Sequence, residues 1–175
     1  KAAVAQGGPY TFEHRVRRHD GAWRDFAVRA VAVLEPDGSI REWIGVHTDI
    51  TERKRAEERL REGEARFRAM ADSAPAPVWM TSAEGGITFA NEAFAEFAGL
   101  DAQDLLGDAW IGMIHPEDVA TVGARRAAAR GAPEGPRPWS FEARFRCGDG
   151  TYRWMVANAR PQIDARGQFQ GYIGM

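Results

Sequence analysis

The side chains able to do chemistry are few and scattered. Cys147 is the one cysteine. It opens a Cys-Gly-Asp-Gly turn, where a structural or incidental thiol is expected. A lone cysteine excludes an internal disulfide and fits a reducing compartment. His14, His19, His47 and His115 form no spaced set suited to zinc. Glu13-His14-Arg15 has the composition of a phospho-acceptor box, but it lies on an alternating, strand-like stretch. A phospho-acceptor histidine is expected exposed on a helix. The chain has no glycine-rich phosphate loop ending in Lys-Ser/Thr, no His-Glu-x-x-His and no Gly-x-Ser-x-Gly. Paired carboxylates occur only at turns and helix starts, where solvation or capping accounts for them. No catalytic residues and no metal site are expected.

Binding is the chemistry left open. Trp79, Phe89, Phe94, Phe97, Trp110, Phe141 and Trp154 could surround an apolar pocket, with plain core packing the simpler account of each. Asn91 and Asn158 are the polar groups to inspect for one facing that pocket. Arg125, Arg126, Arg130 and Arg137 could recognise an anion, although a solvated helix face explains them more simply. Hydrophobic residues make up 44% of the 175 and charged residues 27%, the mix of a soluble globular chain. A net charge of −2 supplies no field for gripping nucleic acid or an anionic membrane. No uncharged apolar run reaches about 18 residues, and residues 1–10 lack a signal-peptide core. The reading is cytoplasmic, with no nucleic-acid partner and no direct membrane contact.

The elements that position these residues emerge from an internal repeat. Residues 10–46 align without a gap on residues 139–175. Phe12 falls on Phe141, Arg15 on Arg144, Asp20-Gly21 on Asp149-Gly150, and Ile44-Gly45 on Ile173-Gly174. Each copy predicts a three-stranded meander, with strands near 10–18, 23–34 and 40–48 in the first. In the second, Trp139, Phe141, Ala143, Phe145 and Cys147 alternate with polar residues, the period of a half-buried strand. Strands over 152–163 and 169–175 follow. Between the copies, Asp49 and Glu52 suggest a capping box opening a helix at Ile50 or Thr51, which Pro75 and Pro77 end. Ala56, Leu60, Gly63, Phe67 and Met70 form a short heptad seam. An ordinary amphipathic helix and a dimeric coiled coil both fit it. The second copy adds strands over 78–83 and 87–91, a helix through Phe94 and Phe97, a short helix holding Leu105 and Leu106, and a long helix from His115-Pro116 to about Arg130. The fold class is α+β, with one five-stranded antiparallel sheet and its helices on one face.

That order resembles the PAS superfamily. "NEAFAEFAGL", "IHPEDV", "FEARFRCGDGTYRW" and "GYIGM" carry the resemblance over residues 67–175, and "WIGVHTDITERK" resembles the end of another such domain running into its exit helix. The resemblance implies three parts: residues 1–49 as the C-terminal half of a first PAS domain, 50–74 as a helical connector, and 75–175 as a second, nearly complete one. The first copy lacks the opening strands and helices, so the chain is expected to be a piece of a longer protein. Residues 10–48 are then expected to pack on something else, such as a second chain. Flavin-linked light-sensing members carry a cysteine in an Asn-Cys-Arg-Phe helix, unlike Cys147. Haem-binding relatives place a histidine inside the long helix, where Val119–Arg130 has none. The Arg/His/Lys set of citrate-type members is not found. No cofactor is expected, and an unknown small ligand stays open.

The resemblance implies a non-catalytic sensory, relay and dimerisation module of a bacterial signalling protein of the histidine kinase or diguanylate cyclase type. A homodimer with a covalently linked output domain is expected. Relay is assigned to Asp49 and Thr51 at the junction and to Leu60 and Phe67 on the seam. The alternative is a chemosensor holding a small molecule in the pocket of the second domain.

Overall fold

Alternating side chains and Gly-containing turns divide the chain into strands, and the computed structural model describes residues 9–175. It falls into two compact units, divided between Ala65 and Arg66. The first holds β1 (Tyr10–Arg17), β2 (Trp23–Leu34) and β3 (Ile40–Asp49), an antiparallel sheet in that order. Helix α1 (Thr51–Asp72) follows directly and contains the division. In the second unit come β4 (Trp79–Thr81), β5 (Ile87–Ala90), α2 (Glu92–Ala98), a 3-10 turn (Ala109–Met113), α3 (Pro116–Arg130), β6 (Trp139–Arg146), β7 (Tyr152–Ile163) and β8 (Phe169–Gly174). Its five strands are ordered β5-β4-β8-β7-β6, and neighbouring strands pair antiparallel.

The two meanders share one register. Tyr10 stands opposite Ala30 as Trp139 stands opposite Ala159, and Ala30 faces Gly45 as Ala159 faces Gly174. Even the irregularity recurs, at Val33/Leu34 and at Gln162/Ile163. What covers the matching faces differs: Phe12 is 44% exposed and its counterpart Phe141 only 4%. In the second unit that face packs against the helices, and Leu105, Val122, Phe94, Met113 and Ala143 form its core.

The capping-box expectation holds only in half. The Asp49 carboxylate accepts from Thr51 N (2.9 Å), so the aspartate does start the helix. Glu52 turns instead to Arg55 (2.9 Å) and Arg24 (3.8 Å), while Asp49 remains paired with Phe26 in the sheet. The helix expected around Leu105 and Leu106 is a pair of turns, closed by Asp104 N to Asp101 O and Leu106 N to Gln103 O. Gly107, at φ 72°, then bridges back to Ile87 through two backbone bonds, so the chain cannot coil further there. Leu105 is fully buried and Leu106 exposed.

Helix α3 begins as its sequence requires. The His115 ring accepts from Glu117 N (3.3 Å), Pro116 occupies the first turn, and two acids face the positive end of the helix. Asp118 anchors the helix to β6: its carboxylate accepts from Arg144 N (2.9 Å), Nε (3.0 Å) and Nη2 (2.8 Å). Helix α2 ends at Gly99 (φ 65°), which lies against Gly148 so closely that a Cβ on either would overlap the other's backbone.

Candidate functional site

Between the sheet and the helices of the second unit lies a cavity of about 250 Å³. Its walls are mostly aromatic. β4 contributes Trp79, α2 contributes Phe94 and Phe97, the 3-10 turn Trp110, and β6 Trp139, Phe141 and Phe145. Period-two alternation on β6 and β7 explains why Phe141, Phe145, Met155 and Ala157 share the inward face.

Polar groups are sparse there, and three of them lack partners. Trp110 Nε1, Trp139 Nε1 and Tyr172 Oη are buried with no hydrogen-bond partner among the described residues, and all three residues border the cavity. Thr81 positions Tyr172 by accepting from its backbone N at 3.0 Å. Burial pushes the Tyr172 hydroxyl above its ordinary pKa, and the charges of Arg130 and Arg126 oppose that shift. Arg126 also lines the cavity, with its guanidinium carbon 5.4 Å from the Trp110 ring centre. Burial lowers its pKa below the usual guanidinium value.

Of the residues expected at a pocket, Trp79, Phe94, Phe97, Trp110, Phe141 and Asn158 border this cavity. Asn158 is exposed, as are Val156 and Met175 beside it, so it is no buried polar group. Three of the expected residues lie elsewhere. Phe89 packs on Phe67, ring centres 5.0 Å apart. A register shift between Met80 and Thr81 breaks the alternation of β5, so Ile87 borders the cavity and Phe89 does not. Trp154 is 68% exposed, beneath the Arg144 guanidinium at 5.4 Å.

Asn91 is fully buried, but its amide is spent on the backbone. Its Oδ1 accepts from Val78 N (2.8 Å) and Phe94 N (3.1 Å), and its Nδ2 donates to Ala71 O (2.9 Å) and Ala76 O (3.0 Å). It therefore caps α2 and ties it to the end of α1 rather than offering a group to a ligand.

Sequence reasoning left Arg126, Trp139 and Tyr172 out of the pocket. Trp139 had a usable signal, since it shares the period of Phe141. Tyr172 was visible only as the repeat partner of Trp43. Arg126 was grouped with three other arginines, from which the fold separates it by burial: Arg126 is half-buried at the cavity, whereas Arg125, which donates to Ser140 O (3.3 Å), Arg130, which shares the acceptor Glu84 O (3.0 Å) with Arg126, and Arg137 are exposed.

Of the relay residues, Thr51 is buried and its hydroxyl accepts from Asp25 N (2.9 Å), while Leu60 is 65% exposed and Phe67 40%. No helix among the described residues is long and apolar enough to cross a membrane.

A five-stranded antiparallel sheet carrying helices over an aromatic cavity is the arrangement of a PAS domain. The chain belongs to that family: the family profile described as PAS fold matches residues 1–47 and 87–175. The uncharacterized protein y4lL of Sinorhizobium fredii is 31% identical over 173 residues, covering 99% of this chain and 21% of y4lL. The peroxide stress-activated histidine kinase mak1 of Schizosaccharomyces pombe is 27% identical over 174 residues, 91% of this chain and 10% of mak1. The chain thus spans about a fifth of the first of these relatives and a tenth of the second. The solved PAS domain of an HTR-like protein from Haloarcula marismortui superposes with a TM-score of 0.51 at 22% identity, covering 70% of this chain and 98% of that domain.

Proposed function

We propose that the chain is a non-catalytic sensory module of a signalling protein, and that the cavity of its second unit receives a small molecule. The observation that carries this reading is the set of three buried, unpartnered donors bordering a cavity of about 250 Å³. A buried polar group without a partner costs about 1–3 kcal/mol. A core selected only for packing would not keep three of them around one space, whereas a bound molecule can satisfy them. This favours the chemosensor over a ligand-free scaffold.

The route out of the cavity runs through α2. Phe94 and Phe97 line the cavity, Asn91 caps that helix, and the same amide holds the last turn of α1. Asp72 adds a second tie by accepting from Glu92 N at 3.0 Å. A ligand that favours one packing of α2 would bias the end of α1, with coupling of about 1–3 kcal/mol typical of such linkage. The likeness to a histidine kinase supports an output of that type, covalently joined in the full-length protein. We further propose a tandem arrangement, with residues up to Asp49 as half of a first PAS domain, and a homodimer formed along α1.

Native mass spectrometry of the purified chain tests the reading. Extra mass of a few hundred daltons or less, lost on denaturation, is expected. A chain that leaves cells and lysates with no bound small molecule would return the second unit to the role of scaffold.

A further inference from the structure

The unpartnered polar groups buried around the cavity share one character; the other polar side chains there, Thr81 and Asn158, are respectively bonded to Tyr172 N and exposed. Trp110 Nε1 and Trp139 Nε1 can only donate, the Tyr172 hydroxyl is free to donate, and Arg126 brings a fixed positive charge. No carboxylate among the described residues borders the cavity. Among the described residues Arg126 makes no direct ion pair, although the Asp108 carboxylate acts on it from a distance, and its hydrogen bond is a long one of 3.3 Å to Glu84 O. A half-buried cation facing three unpartnered donors across an apolar space is costly unless an anion completes it.

The fold builds this position deliberately. The Glu84-Gly85-Gly86 turn receives the side chain, and a Cβ on Gly85 would overlap the Arg126 guanidinium. Gly85 sits at φ 108°, a conformation that side chains with a Cβ rarely adopt. On its other side the guanidinium lies over the Trp110 ring. The charge is thus held between a glycine turn and an indole, with Nη2 on Glu84 O and its other donors left for something else.

Size and shape restrict the rest of the ligand. An apolar cavity of about 150 Å³ accommodates benzene. One of about 250 Å³ therefore holds a single aromatic ring with a short arm, against walls that are themselves aromatic.

Building on the reading of this cavity as a ligand site, we infer that it takes a small aromatic monocarboxylate, its ring among Trp79, Phe94 and Phe141 and its carboxylate at Arg126 and Tyr172.

Isothermal titration of the full chain with phenylacetate, 2-phenylethanol and 2-phenylethylamine tests this. These probes share a ring and arm and differ in charge. Phenylacetate should bind at least tenfold more tightly than the alcohol, as a charge-assisted contact requires, and the amine should not bind. In Arg126→Gln the preference for phenylacetate should vanish while 2-phenylethanol still binds, which shows that the variant folds. Arg125→Gln should leave all three unchanged. Equal binding of acid and alcohol, or an undiminished preference in Arg126→Gln, would overturn the carboxylate assignment and leave a neutral-ligand pocket standing. Failure of all three probes at millimolar concentration would overturn this inference, while the ligand-site reading beneath it stands or falls on native mass spectrometry.

Discussion

Asp118 shows how one residue fixes the frame around the cavity. Hydrogen bonds from the Arg144 side chain and backbone hold its pKa down to about 2, from an ordinary 3.8. Arg144 also holds Glu117 below its usual range. A carboxyl whose pKa falls on folding contributes stability above its unfolded pKa, and that contribution is lost as pH drops through the folded value. Urea midpoints should therefore fall between about pH 4 and pH 2, and Asp118→Asn should flatten that part of the profile. A variant with the same acid profile as the parent would remove the pair from the account. Asn91 makes a larger prediction. Asn91→Ala removes four side-chain hydrogen bonds to the backbone, two of them to groups (Phe94 N and Ala71 O) that keep a backbone partner, and should cost about 2–4 kcal/mol by urea denaturation; a loss below about 1 kcal/mol would show that those bonds are replaceable. This role was not legible in the sequence, because it depends on Ala71, twenty residues earlier. The sequence marks Asn91 as polar in an apolar stretch, and that feature fits a ligand group and a cap equally well.

At the scale of elements, strands were read well and their faces less so. The period of two along Trp139–Arg146 and the Asp-Gly turns located the meanders within a residue or two. Where alternation breaks, inference failed: the register shift beside Thr81 sent Phe89 away from the cavity. A helix face is harder still, since Arg126 differs from Arg125 and Arg130 only by rotation about α3. The exposed seam of α1 remains the element to test. Leu60 and Met70 are 65% and 68% exposed, while Phe67 is partly occupied by Phe89. Leu60 is therefore the clean probe. If two copies pair along this seam, Leu60→Glu should weaken the dimer by tenfold or more, since burying a leucine contributes about 1.5–3 kcal/mol. Sedimentation that finds the same dimer in both proteins would exclude the seam as the interface.

For the molecule as a whole, the repeat is the main lesson. One meander register occurs twice, yet Phe141 is covered where Phe12 is not, and the aromatic cavity lies in the second unit. Tyr10, Phe12, His14 and Trp43 of the first copy occupy the positions that Trp139, Phe141, Ala143 and Tyr172 hold around the second unit's core and cavity. Two sheets share one design, and the proposed sensing role falls to the second. The most direct test is the indole N–H region of a two-dimensional 1H–15N spectrum during titration with phenylacetate. Trp110 and Trp139 resonances should shift together, while exposed Trp23 and Trp154 stay still. Shifts confined to Trp23 and Trp154, or none at all, would contradict a cavity that takes this aromatic carboxylate.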